Sequence, residues 1–234
     1  MGQTIRIPSK DGSFNAYLAV PASGRGPGIV MCQEIFGVNG TMRTLADRYA
    51  QEGYVVLVPD LFWRIEPGVE LDYSPEGWKR AFEFFQKYDQ NKGVEDIAAT
   101  VAALRQRPEL DDVANVGVIG YCLGGKMAYL AACRCDVACS VGYYGVGIEQ
   151  ALDEADNIKG RLVLHLAGED EYCPPEARAQ IAAKLATLPK AEAFSYPGVD
   201  HAFARPNGNH YDKAADETAY ARTLAALKSE IGPR

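Results

Sequence analysis

The pentapeptide Gly120-Tyr121-Cys122-Leu123-Gly124 follows a short apolar run at 116–119 and leads into a segment of helical periodicity at 124–132. A strand that turns sharply into a helix forces the residue at the turn into a strained backbone conformation, so the residues beside it must be small. Gly120 and Gly124 meet that requirement. Such a turn also sets the side chain of Cys122 against the amino end of the helix, where free N–H groups favour a thiolate. The pattern therefore predicts a nucleophilic cysteine at a strand-to-helix turn.

Short apolar runs and segments of helical periodicity alternate along the rest of the chain. This alternation is typical of a mostly parallel sheet that is covered by helices on both faces. The first two strands flank Lys10-Asp11-Gly12-Ser13 and are expected to form an antiparallel hairpin at the sheet edge. Together with the turn at Cys122, the alternation predicts an α/β-hydrolase fold with a mostly parallel eight-stranded sheet. The predicted strands are residues 4–7, 14–20, 28–32, 54–58, 116–119, 140–144, 161–166 and 193–196, and the predicted helices are residues 41–52, 76–88, 94–106, 124–132, 175–188 and 212–231.

Length and charge limit the classes of protein to which the chain can belong. Its 234 residues, 47% of them hydrophobic, suit one α/β domain, which is expected to span residues 1–234. The formal net charge of -7 argues against a general affinity for nucleic acid or for an anionic membrane. The amino-terminal residues lack the apolar core of a secretory signal, and no apolar run approaches the roughly 20 residues of a membrane span. We expect a monomer in the cytoplasm.

Six cysteines, at positions 32, 122, 133, 135, 139 and 173, lack the regular spacing of a secreted disulfide scaffold. Reduced thiols are therefore expected. Cys133 and Cys135 form a C-x-C pair, but no second pair and no nearby histidine complete the four ligands of a structural zinc site. Packing in the core is the expected role of this pair, and no metal or other cofactor is implied.

A nucleophile needs a base to take its proton, and the base needs an acid to orient it. In an α/β-hydrolase these residues follow one another as nucleophile, acid and histidine. Asp170 stands just beyond an apolar strand that ends at Gly168, and His201 stands in the loop after the next strand. Glu169 and Glu171 flank the aspartate, but the spacing beyond the Gly168 turn favours Asp170 as the acid.

The chain has only three histidines, so each can be weighed. His165 lies within the apolar strand Leu164-His165-Leu166 and is expected to be a hydrogen-bonded core residue. His210 lies where the last helix begins and is expected to be a surface or capping residue. Position and order therefore favour His201 as the catalytic base.

The oxyanion hole of this fold takes one N–H group from the residue after the nucleophile and one from the loop after the third strand. These donors are expected at Leu123 and within residues 33–37. Glu34 is unusual there, because a carboxylate beside a thiol opposes formation of the thiolate. A buried structural salt bridge is an alternative role for Glu34.

Four segments carry a family resemblance: QEIFGVN at 33–39, GYCLGG at 120–125, GYYGVG at 142–147 and HAFAR at 201–205. In this order they closely resemble the dienelactone hydrolase family, also called carboxymethylenebutenolidases, through nearly the whole chain. The resemblance implies a Cys-Asp-His triad, which falls on Cys122, Asp170 and His201. It also implies that the oxyanion donors are Ile35 and Leu123.

The resemblance implies that the substrate itself activates the enzyme. In that family the resting thiol is neutral, and the carboxylate of the substrate takes over an arginine that had held a glutamate, here Glu34. An anion that competes for one cation raises the basicity of the carboxylate it displaces, so the released Glu34 removes the thiol proton. The implied reaction opens an unsaturated lactone bearing a carboxylate, of the dienelactone-to-maleylacetate type, through an acyl thioester that is hydrolysed by water activated by His201.

Two positions depart from the family pattern. Of the two arginines that bind the substrate carboxylate in that family, one falls on Arg205, for which a surface ion pair is the alternative role. A gap-free alignment places Trp78 at the position of the other, so Arg80 or Arg64 is left to supply the second cation. Ala202 replaces the serine that follows the catalytic histidine in the family.

Other readings of the same residues remain. Phe36 and Tyr144 are expected to line the substrate pocket, although aromatic residues at strand or helix spacing also belong to ordinary cores. Trp78 and Ala202 favour an alternative activity, that of a thioesterase or a general carboxylesterase acting on small esters. A non-catalytic protein that only binds a small ligand is the third hypothesis, and the complete triad argues against it.

Overall fold

The computed structural model describes residues 2–112 and 114–232. Within them the chain begins with a hairpin and then alternates strands with helices, as the sequence predicts. The strands are β1 (Gln3–Ser9), β2 (Gly12–Ala19), β3 (Gly28–Cys32), β4 (Val55–Pro59), β5 (Val116–Tyr121), β6 (Cys139–Tyr143), β7 (Arg161–Ala167) and β8 (Ala191–Tyr196). The helices are α1 (Gly40–Gln51), α2 (Pro75–Lys87), α3 (Gln90–Arg105), α4 (Leu123–Arg134), α5 (Pro175–Leu185) and α6 (Lys213–Ile231), with a 3₁₀ segment at Ile148–Asn157.

The strands form one eight-stranded sheet in the order β1-β2-β4-β3-β5-β6-β7-β8. β1 pairs antiparallel to β2, and β2 pairs antiparallel to β4. β3 pairs parallel to β4, β6 pairs parallel to β7, and β7 pairs parallel to β8. Every residue of β3, β4, β5 and β6 is buried, which is expected of strands covered on both faces. The predicted α/β-hydrolase fold is confirmed.

The predicted edge hairpin is confirmed, but its turn is shorter than the sequence indicated. Strand pairing continues to Ser9 and Gly12, so only Lys10 and Asp11 connect β1 to β2. Gly12 has a φ of 147°, within the region that favours glycine. The ladder therefore extends into residues that were expected to form the loop.

The helical segments differ from the prediction in two places, at the start of α3 and at the 3₁₀ segment. α3 begins at Gln90 rather than at 94, since the Asp89 side chain accepts hydrogen bonds from the backbone N–H groups of Asn91 and Lys92. The 3₁₀ segment was not predicted. It has ten residues, begins after Gly147 at a φ of 79°, and is interrupted by a non-helical Ala151, so no continuous helical period marks it in the sequence.

The described residues form two compact units, one that runs to Gly117 and one at Val118–Gly232. The expectation of a single domain stays a prediction. In the first unit, α3 packs on β1, β3 and β4, and α1 packs on β2 and β4. In the second unit, α4 and α6 pack on β6 and β7, and α5 packs on β8. None of the described helices combines the length and the apolar character that a membrane crossing requires.

The irregular loop after β4 is held against the segment that follows β3 in the first unit. The backbone N–H of Val38 donates to the carbonyl of Val69 at 3.2 Å, and that of Leu71 donates to the carbonyl of Phe36 at 2.9 Å. Between them, Gly37 has a φ of 76°, and a Cβ atom there would lie 1.8 Å from the Val69 carbonyl oxygen. Only glycine fits this contact, which fixes the backbone just after Glu34.

Candidate active site

Cys122 forms the turn between β5 and α4 in the strained conformation that its position predicts. Its φ and ψ are 57° and -117°, and it precedes the first residue of α4. A non-glycine residue in such a sparsely populated region costs roughly 1–3 kcal/mol and persists only where its surroundings hold it. A Cβ atom on Gly120 would lie 1.8 Å from the Gly124 carbonyl oxygen, so the turn excludes any larger residue there.

The carboxyl end of β6 supports this turn. The backbone N–H of Cys122 donates to the carbonyl of Tyr143 at 3.0 Å. A Cβ atom on Gly125 would lie 2.5 Å from the same carbonyl oxygen, so the first turn of α4 must carry glycine to approach β6 so closely. The backbone of the second unit therefore holds the nucleophile from two sides.

The structure brings Cys122, Asp170 and His201 together in the second unit. His201 Nδ1 lies 2.8 Å from Asp170 Oδ2, and the imidazole also hydrogen-bonds the Cys122 side chain. The other oxygen of Asp170 accepts a hydrogen bond from the backbone N–H of Tyr172 at 2.9 Å. All three triad side chains belong to buried residues. This is the geometry that a base needs to take a proton from a nucleophile while a carboxylate orients it.

The electrostatic surroundings make His201 a strong base. Burial lowers the pKa of an imidazole, because the charged form loses its hydration. Here the negative charge of Cys122 and the hydrogen bonds to Asp170 and Cys122 outweigh burial and raise the pKa of His201 from 6.5 to about 10. His201 can therefore hold the proton that a nucleophilic thiol must give up.

Positive φ angles at non-glycine residues mark the same region. Tyr144 and Ala202 have φ values of 38° and 66°, and Cys122 is a third such residue. The Tyr144 ring lies edge-on to the imidazole of His201 with centroids 5.0 Å apart. Tyr144, which is expected to line the substrate pocket, therefore lies beside the catalytic imidazole, and its side chain is buried. Strained backbone at three residues around one imidazole is the kind of feature that clusters at functional sites.

Tyr172 is a neighbour of His201 that the sequence did not indicate. Its ring lies edge-on to the imidazole, with centroids 5.0 Å apart and planes at 80°. The only signal available in the sequence was its place two residues after Asp170. Exposed tyrosines are common, so that signal alone had no weight.

The other two histidines occupy different surroundings. His165 is fully buried, and its ring nitrogens hydrogen-bond Tyr196 and Thr223, which confirms the prediction of a core residue. The side chain of His210 is 52% exposed, which confirms a surface position. It does not begin the last helix, because Asp212 caps α6 through the backbone N–H of Ala215.

Arg205 is 7% exposed, so a surface ion pair is the wrong description of it. Its backbone N–H donates to the carbonyl of Ala202 at 2.9 Å, which closes a turn directly after His201. A buried guanidinium keeps its charge because its pKa is so high, and it therefore needs an anionic or polar partner. Ala202 is itself buried and brings no hydroxyl group to this turn.

The first unit holds the residues expected around the loop after β3. Glu34 is 1% exposed, and one of its carboxylate oxygens lies 3.4 Å from the hydroxyl of Tyr73. Phe36 is fully buried, with its ring edge-on to those of Tyr73 and Trp78 at 4.6 and 4.9 Å. Ile35 is 5% exposed. In the second unit, Leu123 is buried at the first position of α4.

Arg64 and Arg80, the two candidates for the second arginine that binds the substrate carboxylate, are each paired with carboxylate side chains. Arg64 binds Asp96 at 2.9 Å and Asp11 at 2.6 Å. Arg80 binds Glu66 at 2.6 Å and Glu83 at 2.9 Å. A substrate carboxylate would have to displace these partners. Neither arginine is therefore a ready second cation.

All six cysteines are free thiols. Cys133 is buried, and burial raises its pKa to about 11, which suits a thiol packed in the core. In the part of the chain that the structure describes, no cluster of three or more His, Cys, Asp or Glu side chains is placed to hold a metal ion.

Comparison with known proteins finds the dienelactone hydrolase family, whose model matches residues 14–231. A carboxymethylenebutenolidase of Pseudomonas sp. is 42% identical over 226 residues, which cover 96% of this chain and 94% of the relative. Another, from Pseudomonas putida, is 36% identical and covers 95% of this chain and 94% of the relative.

Solved structures agree on the fold. A dienelactone hydrolase from Anabaena variabilis matches with a TM-score of 0.72 at 15% identity, covering 99% of this chain and 98% of its own. A dienelactone hydrolase-like promiscuous phosphotriesterase from metagenomic libraries matches with a TM-score of 0.80 at 18% identity, covering 99% of both chains.

Proposed function

The chain belongs to the dienelactone hydrolase family and is a lactone hydrolase, and we propose that Cys122 is the nucleophile of this hydrolysis. The proposed substrate is an unsaturated lactone that bears a carboxylate, and the proposed intermediate is an acyl thioester. The observation that carries the proposal is the contact chain from Asp170 through His201 to Cys122 within the second unit.

The proposed reaction has two halves. The thiolate sulfur of Cys122 attacks the lactone carbonyl carbon, and backbone N–H groups, proposed as those of Ile35 and Leu123, stabilise the oxyanion. Collapse of this intermediate breaks the ring C–O bond, leaves an acyl thioester on sulfur, and gives a ring oxygen that takes up the proton first removed from the Cys122 thiol. His201 then takes a proton from a water molecule that attacks the thioester, and the sulfur leaves as the new carboxylate forms.

Replacement of the nucleophile tests the proposal. Cys122→Ala is expected to lower kcat/KM for the lactone by at least about 10³-fold, because the covalent route is lost. Cys135→Ala is the matched control, since it removes a half-buried thiol outside the triad and should leave turnover unchanged. Mass spectrometry of His201→Ala with substrate should show an acyl adduct on Cys122. Undiminished turnover by Cys122→Ala would exclude the proposed nucleophile.

Arg205 is proposed to bind the carboxylate of the substrate. A hydrogen bond to a charged group contributes about 1.5–3 kcal/mol, so Arg205→Gln should weaken selection of an anionic lactone over a neutral one of equal size by about 10- to 100-fold. Arg134→Gln is the control, because that arginine pairs with Glu154 outside the triad. The wild-type enzyme must prefer the anion in this comparison. Equal rates for both lactones would favour the alternative of a thioesterase or a general carboxylesterase, which Trp78 and Ala202 support.

Glu34 keeps the role implied by the family, that of a proton acceptor which the substrate releases. Its burial in the first unit and its contact with Tyr73 are compatible with that role. Glu34→Gln is expected to lower kcat by about 10²-fold, because the amide cannot accept the thiol proton. Tyr73→Phe, which keeps the carboxylate, should cost less than about tenfold. An unchanged kcat in Glu34→Gln would assign proton removal to His201 alone.

A further inference from the structure

Tyr172 is the exposed aromatic residue next to the triad. It retains 38% of its accessible surface, whereas Cys122, Asp170 and His201 retain 7%, 3% and 4%. Among the described residues of the second unit, Tyr211 is the other large aromatic residue of similar exposure, at 39%. The ring of Tyr172 contacts the catalytic imidazole, and the phenol of Tyr211 donates to Asp216.

Two contacts fix Tyr172 in this position. Its backbone N–H donates to Asp170 Oδ1 at 2.9 Å, so the carboxylate that orients His201 also orients Tyr172. Its ring meets the imidazole edge-on at 5.0 Å. Burial raises the pKa of the Tyr172 phenol, and the neighbouring Glu171 and the charge of Cys122 raise it further. The ring is therefore positioned by the catalytic residues and is still open to solvent.

The second aromatic neighbour of the imidazole makes the contrast clear. The Tyr144 ring also lies 5.0 Å from His201, but this residue is 1% exposed. A buried ring has no free surface for a ligand. The exposed part of Tyr172 has such a surface, beside the imidazole that hydrogen-bonds Cys122.

We infer that Tyr172 is a specificity-determining residue whose ring packs against the planar conjugated part of the lactone during attack by Cys122. The inference rests on the proposed function. Planar conjugated groups stack on aromatic rings more favourably than puckered saturated groups of equal size, because their polarizable faces meet. Tyr172 thereby favours unsaturated over saturated lactones, and its ring rather than its hydroxyl group carries the effect.

The test compares two lactones of equal size that both bear a carboxylate, one unsaturated and one saturated. Tyr172→Leu is expected to raise KM for the unsaturated lactone by about three- to tenfold and KM for the saturated lactone by less than about twofold. Tyr172→Phe keeps the ring and should behave as the wild type. Tyr211→Leu is the matched control, because Tyr211 is equally exposed and its phenol donates to Asp216, outside the triad.

Each contrary result has a defined meaning. An equal rise in KM for both lactones, or a shift in the pH profile of kcat without a change in selectivity, would overturn the inference and leave Tyr172 as a support for His201. Equal losses in Tyr172→Phe and Tyr172→Leu would assign the effect to the hydroxyl group and overturn it as well. Turnover that survives Cys122→Ala would instead refute the proposed function, so the two failures are distinguishable.

Discussion

Two histidines of the second unit are almost equally buried and have opposite chemistry. His165 lies in β7 with no exposed surface, and His201 lies in the loop after β8 with 4%. The ring nitrogens of His165 hydrogen-bond the hydroxyl groups of Tyr196 at 2.9 Å and Thr223 at 3.0 Å. The ring of His201 contacts the carboxylate and the sulfur of the triad.

The difference lies in the charge of the neighbours. Burial lowers the pKa of His165 to about 3, and the positive charge of Arg222 adds to the effect. Burial acts on His201 in the same direction, but the charge of Cys122 and the hydrogen bonds to Asp170 and Cys122 raise its pKa to about 10. A buried imidazole becomes a base only where anionic groups replace the water it has lost.

The largest expected effect comes from removing the imidazole that has anionic neighbours. His201→Gln should lower kcat by at least about 10³-fold, because the general base that activates water for hydrolysis of the thioester is lost. His210→Gln is the control for loss of an exposed imidazole and should stay within about threefold of the wild type, because the glutamine amide can still donate to the backbone carbonyl of His201 that His210 contacts. Steady-state kinetics at one pH measure both. A fall of less than about tenfold in His201→Gln would show that His201 is not the catalytic base.

Removing the charge of Asp170 should make the surroundings of His201 more like those of His165. Asp170→Asn keeps the shape of the side chain but loses its charge, so kcat is expected to fall by about 10²- to 10⁴-fold. The pKa of His201 should fall below that of the wild type, since one of the groups that raises it is gone. Imidazole resonances in NMR titrations of the two proteins give the comparison. An unchanged pKa would show that Cys122 alone sets the charge of His201.

The core histidine is expected to affect stability rather than turnover. His165→Phe fills the site but removes one hydrogen-bond partner from each of the hydroxyl groups of Tyr196 and Thr223, which keep Arg222 and Tyr143 as partners. Urea unfolding should therefore show a loss of about 1–3 kcal/mol in the free energy of unfolding, at about 0.5–1.5 kcal/mol for each lost hydrogen bond, with kcat/KM within about tenfold of the wild type. Thr223→Val is the companion variant and should lose a similar amount, because its hydroxyl group hydrogen-bonds both His165 and Tyr143.

The last expected difference between the two histidines is in how stability depends on pH. The folded pKa of His165 lies below its ordinary value of 6.5, so the unfolded chain binds more protons and stability falls as the pH drops from 6.5 toward about 3. The slope for one proton is about 1.4 kcal/mol per pH unit. His201 acts oppositely, because its raised pKa adds stability that is complete below 6.5 and disappears as the pH rises through about 10. Urea midpoints against pH should show a flatter acid limb in His165→Phe and a flatter alkaline limb in His201→Gln.

Much of the fold follows from local patterns. Buried strands such as Gly28–Cys32 appear as apolar runs, and the hairpin at the sheet edge is marked by Asp11 and Gly12. The 3₁₀ segment Ile148–Asn157 was missed, because a short helix interrupted at Ala151 has no sustained period. Element ends moved wherever pairing or a cap such as Asp89 extended a regular segment beyond its pattern.

Some residues of the candidate site were predictable from the sequence, and others were not. The order of Cys122, Asp170 and His201 along the chain was enough to nominate them, since the fold presents strand ends at one edge of the sheet. The burial of Arg205 and the contact of Tyr172 with the imidazole were not predictable, because neither residue differs from a surface residue in its own segment. Both depend on how separate loops meet.

By itself, the sequence determined the turn at Cys122, because Gly120 and Gly125 are steric requirements of a strand that enters a helix within a few residues. It also determined the likeness to a family of lactone hydrolases, which short ordered motifs carry. The sequence also nominated His201 as the base, but only the tertiary structure supplied the neighbours that raise the pKa of His201 and lower that of His165. The pKa of an imidazole depends on the charges within a few ångströms of it, and for His201 those charges come from residues far away along the chain.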